Sequence, residues 1–73
     1  MTPATLEQAR AAKQKLLEQL RGHAGLRGVG IALLDGGYGV KVNFDAPPPA
    51  GLVPDDVDGV PVIVDVVGSI RLL

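Results

Sequence analysis

The sequence predicts an α+β fold, a two-layer sandwich with one N-terminal amphipathic helix on a three-stranded sheet. Three observations carry this. Apolar residues recur at helical spacing from Leu6 to Leu20, the period changes to two after Gly28, and Asp35-Gly36-Gly37 separates the first two alternating runs.

The helix is expected over about residues 3–21. Thr2 before Pro3 is one N-cap, and Thr5 with Gln8 forms an alternative capping box. Leu6, Ala9, Ala12, Leu16, Leu17 and Leu20 share one side, with Glu7, Arg10, Gln14, Lys15, Glu18 and Arg21 on the rest. Arg21 suits the C-terminal dipole and Gly22 is a ready C-cap. A lone helix of this length is marginal in water, so its leucine stripe must be covered.

Residues 22–28 form a Gly-rich connection. Val29, Ile31 and Leu33 then alternate with Gly30, Ala32 and Leu34, and Val40, Val42 and Phe44 with Lys41, Asn43 and Asp45. Two hairpin registers are open. With Gly36-Gly37 at the turn centre, Leu33 faces Val40. With Asp35-Gly36 there, Leu33 faces Tyr38 and Ile31 faces Val40. Both keep the apolar set on one face.

Pro47-Pro48-Pro49 excludes a helix or an inner strand at the start of residues 46–59. Pro54–Val57 reads as one helical turn ended by Gly59, with Leu52, Val53 and Val57 tucked beneath the loop. Val60–Val67 is the third strand. Val60, Val62, Val64 and Val66 line the core face, and Pro61, Ile63, Asp65 and Val67 the other. Ile70–Leu73 either extends this strand or leaves it. The long loop favours a crossover, giving strand order 2-1-3 with the third strand beside the first and parallel to the second. A meander would need only a tight turn.

At 73 residues the chain is a single domain, 1–73. A domain this small buries only about 60% of its unfolded surface, which leaves a thin stability margin. No Cys is present, so neither disulfides nor thiolate metal sites supplement it. Thr2–Thr5 leads into a charged helix and not an apolar run, and no stretch reaches the ~20 apolar residues that span a bilayer. A soluble, cytoplasmic protein without a membrane partner is expected. A net charge of −1 argues against nucleic acid, although the helix carries a basic excess and the second half an acidic one.

The chemistry-bearing residues are sparse. His23, the single His, has no Cys and only Ser69 to act with, and reads as a cap-region residue. Asp55, Asp56, Asp58 and Gly59 lack the register of a calcium loop, because Pro54 occupies its first ligand position. Gly25-Leu26-Arg27-Gly28 spells a GxxG, but between a helix and a strand and not between two helices. Gly28-Val29-Gly30 precedes no helix, so it is no dinucleotide fingerprint. Gly30 and Gly39 are positions where something can approach the sheet backbone closely. No enzyme activity, metal or cofactor is expected.

Gly28–Leu33, Tyr38–Val42 and Leu52–Pro54 through Asp58–Val62 to Val67-Gly68 together resemble a small segment found ahead of trypsin-like serine protease domains in bacterial proteins. The resemblance spans about residues 15–71. It implies a free-standing bacterial version of a small α/β module and carries over no catalytic residue.

One helix covers one face of such a sheet. The other face then exposes Ala32, Leu34, Ile63 and Val67, mixed with Lys41, Asn43 and Asp65. Those four apolar residues are the candidate interface, and the expected partner is a second copy, in a homodimer built on the open face or on the sheet edge. A further protein partner, a ligand or catalytic site at the dimer seam involving His23, Tyr38 and Asp65, and weak nucleic-acid binding through the basic helix are the competing readings.

Overall fold

The computed structural model describes residues 3–34 and 36–67. Thr2, Asp35 and the extension over residues 68–73 lie outside the described residues. Within them the chain forms α1 (Leu6–Gln19), β1 (Leu26–Leu34), β2 (Gly37–Phe44), β3 (Asp56–Val57) and β4 (Val60–Val66).

Thr5 is the N-cap of α1. Its Oγ1 accepts the Gln8 N–H at 3.1 Å, and Gln8 Oε1 accepts the Thr5 N–H at 2.7 Å. The helix thus starts later than residue 3, because the Ala4 carbonyl is used elsewhere, accepting the Tyr38 N–H at 3.0 Å. Arg21 pairs with Glu18 at 3.1 Å, beyond the last helical residue.

β1 and β2 form the expected hairpin. Leu34 pairs with Gly37, Leu33 with Tyr38, Ile31 with Val40 and Val29 with Val42. This selects the register with Asp35-Gly36 at the turn centre, where Gly36 adopts φ +73°. A bulge at Arg27 shifts the register before Gly28.

The strand order corrects the sequence expectation. The sheet has four strands in the order β1-β2-β4-β3, so β2 and not the first strand is central among the three long ones. β4 runs parallel to β2, as the crossover argument required, but pairs with it directly: Val40↔Val62, Val42↔Val64 and Phe44↔Val66. The cause is packing. Val40, Val42 and Phe44 are the most buried row of the sheet, each fully covered, whereas Leu33 on β1 is 75% exposed. The strand with the continuous apolar row takes neighbours on both sides. Residues 45–59 then supply the dozen or more residues that a parallel connection needs.

The helical turn expected at Pro54–Val57 is a strand instead. Asp56 pairs with Pro61 and Val57 with Val60, so β3 and β4 form a second hairpin. Its two central residues, Asp58 and Gly59, both have positive φ, +50° and +82°. That is the backbone of a type I′ turn, which Asp-Gly accommodates. The Asp56 carboxylate accepts the Gly59 N–H at 3.2 Å and reinforces it.

The core lies between α1 and the sheet. Ala9, Ala12, Leu16 and Leu20 of the helix meet Val40, Val42, Phe44 and Val60. Leu52, Val53 and Val57 are half-buried against this cluster, as expected of the loop. The helix lies chiefly over β1 and β2. Gly39 is the close approach that the sequence suggested. A Cβ there would stand 2.5 Å from Leu34 Cδ1 and 2.9 Å from the Pro61 carbonyl oxygen. A Cβ on Gly30, by contrast, would meet no atom of the described residues within 4 Å.

Candidate functional site: the uncovered edge of the sheet

The surface that stands out is β4. Val60 and Val62 are covered by the helix and the preceding loop, but the second half of the strand is not. Ile63 and Val64 are each 39% exposed, Val66 44% and Val67 48%. Val64 and Val66 were expected in the core. Their side chains do share the core face with Val40 and Val42, but the helix, centred over β1 and β2, leaves that end of the strand bare.

Among the described residues, nothing pairs with the outer backbone of the same stretch beyond Val62. The Val67 N–H donates to the Phe44 carbonyl at 2.8 Å, inward toward β2, and the Val62 N–H to the Asp55 carbonyl at 2.9 Å, on the opposite side. Backbone groups alternate sides along a strand. Val64 and Val66 therefore present N–H and C=O outward. β3 pairs only with Val60 and Pro61, so it ends before them.

Ala32, Leu34, Ile63 and Val67 do lie on the face away from the helix, as their strand parity requires. They do not form one patch. Ala32 and Leu34 are on β1, half-buried, with the Leu34 side chain folded over Gly39. Ile63 and Val67 are two strands away, and between them runs a polar row. Lys41 pairs with Asp65 at 3.1 Å, and Asn43 Oδ1 is buried with no hydrogen-bond partner among the described residues.

The residues considered for a seam site are dispersed. His23 packs edge-on against Phe44, with ring centroids 5.6 Å apart, and its Nδ1 accepts the Gly25 N–H at 3.3 Å. Tyr38 sits at the other end of β2, on the helix side of the sheet. Asp65 is on the opposite face. Of the loop carboxylates, Asp58 pairs with Lys15 across an open cleft of about 540 Å³ between α1 and the second hairpin, floored by Pro54 and Val57. Among the described residues no group of three or more His, Asp or Glu side chains is placed to hold a metal ion. Likewise no described helix is long and apolar enough to cross a membrane.

The signal for β4 was present in the sequence: five β-branched residues, Val60, Val62, Ile63, Val64 and Val66, with one charge among them. Period alone could not show where the helix stops. Compared with known proteins, the chain matches no family, no curated protein and no solved structure.

Proposed function

We propose that the chain is a non-enzymatic self-association module that forms a homodimer through the uncovered surface of β4. The supporting observation is the cluster Ile63, Val64, Val66 and Val67, exposed within one short stretch that lies beyond Pro61, where pairing with β3 stops. Each large aliphatic side chain left in water forgoes about 1.5–3 kcal/mol of burial. That is comparable to the entire margin of so small a domain, a few kcal/mol. A second copy restores it, because a two-fold interface is self-complementary. The dispersal of His23, Tyr38 and Asp65 supports a binding role over a catalytic one. The Cys-free composition and the resemblance to the protease-preceding segment favour the cytoplasm of a bacterium as its setting.

Light scattering across a concentration series tests this. The expected result is a mass that rises from one chain toward two as concentration increases. A single-chain mass over the whole range contradicts the proposal.

A further inference from the structure

We infer that the second copy adds to the free edge of β4, antiparallel and two-fold related, so that two sheets join into one, with Asp65 as a charge that holds the association weak. This rests on the self-association reading and specifies its geometry.

The uncovered side chains of β4 and the residue after it lie on both faces of the sheet. Ile63 and Val67 stand on one side of the sheet and Val64 and Val66 on the other. A partner stacked on the open face buries only the first pair. One lying beside the helix buries only the second. A strand added at the edge meets both pairs and also takes up the outward N–H and C=O groups of Val64 and Val66.

In a two-fold antiparallel pair, outward residues face outward residues. Val64 then stands opposite Val66 of the second copy, and Val66 opposite its Val64. Shifting the pair toward the start of β4 brings Val66 of the second copy against Val62, whose N–H is already bonded to Asp55. The register that pairs Val64 with Val66 sets Asp65 opposite its own equivalent. Like charges directly opposed are unfavourable. Lys41, 3.1 Å from Asp65, stands beside each one and makes the line of four charges neutral overall. Such a pairing is permitted but restrained, the role that a charge plays on a natural strand edge.

β1, the other sheet edge, is less suited to pairing. Its strand carries a bulge at Arg27 and two glycines, Gly28 and Gly30, all of which work against regular pairing. From Ile63 through the end of β4 to the next residue, Val67, the chain has neither bulge nor glycine. The stretch is about 17 Å long at ~3.3 Å per residue. That length corresponds to a small interface of the transient class, below ~1,200 Å².

Sedimentation of the full chain over a concentration series, with circular dichroism to verify folding, compares wild type with Val64→Pro, Asp65→Asn and Ala32→Glu. Val64→Pro removes an outward N–H without touching the ladder to β2, and is expected to weaken dimerisation at least tenfold. Asp65→Asn is expected to tighten it several-fold, and Ala32→Glu, on the open face, to leave it within twofold. Should Val64→Pro fail to fold, Asp65→Asn decides: unchanged or weaker association overturns the inference. A folded Val64→Pro that dimerises like wild type, or an Ala32→Glu that does not dimerise, overturns the edge geometry and leaves self-association standing. A wild type that never dimerises removes both.

Discussion

Replacing Phe44 by Ala is expected to abolish the cooperative folded state. Phe44 is fully buried at the end of β2, where it closes the core beneath His23. A buried Phe→Ala change typically destabilises by about 3–5 kcal/mol, from lost transfer energy and the cavity left behind. A domain below ~70–80 residues holds only about 3–5 kcal/mol in total. Urea unfolding followed by circular dichroism checks this. No sigmoidal transition should remain for Phe44→Ala. A midpoint close to wild type would show that the core is not organised around this end of β2.

Gly39→Ala is expected to be the second most damaging change. The new Cβ meets the Pro61 carbonyl oxygen at 2.9 Å as well as Leu34 Cδ1 at 2.5 Å. The leucine can rotate away, but the carbonyl belongs to the backbone of β4, so the two strands must separate. Overpacking of this kind costs about 1–3 kcal/mol. Gly30→Ala is the matched control. It lies in the neighbouring strand, where a new Cβ would meet no atom of the described residues within 4 Å, and a side chain there should stabilise by about 0.5–1 kcal/mol by restricting the unfolded chain. Opposite signs at the two glycines are the expected outcome of thermal unfolding. Equal losses would contradict the packing described for Gly39.

The helix and the first hairpin were legible in the sequence because their signals are local. Thr5 with Gln8 marks a helix start, and Asp35-Gly36 between alternating runs marks a turn. Val57-Asp58-Gly59-Val60 carries the same turn signal, and its reading as a helical turn missed the second hairpin. The short run before it, Pro54 to Val57, is too brief to show a period. Strand order is a different kind of information. Alternation in Val60–Val66 shows which residues share a face, but not whether β1 or β2 lies alongside. Nor does it show how far α1 reaches over that face. The exposure of Val64 and Val66 follows from the reach of α1, which lies chiefly over β1 and β2. Strand parity assigns Ala32, Leu34 and Ile63 to the face away from the helix, and Val67 follows β4 with the same parity. Their division into two separate patches depends on Lys41 and Asn43 of the central strand lying between them.

Amide hydrogen exchange reads the outward amides of β4 directly. Exchange at Val64 and Val66 is to be measured in dilute and in concentrated solution, against Val67 as the inward reference, whose N–H is bonded to Phe44. Edge-to-edge association predicts that Val64 and Val66 exchange rapidly when dilute and become protected as concentration rises, with Val67 protected throughout. Exchange at Val64 and Val66 that stays fast at concentrations where the protein is dimeric would contradict it.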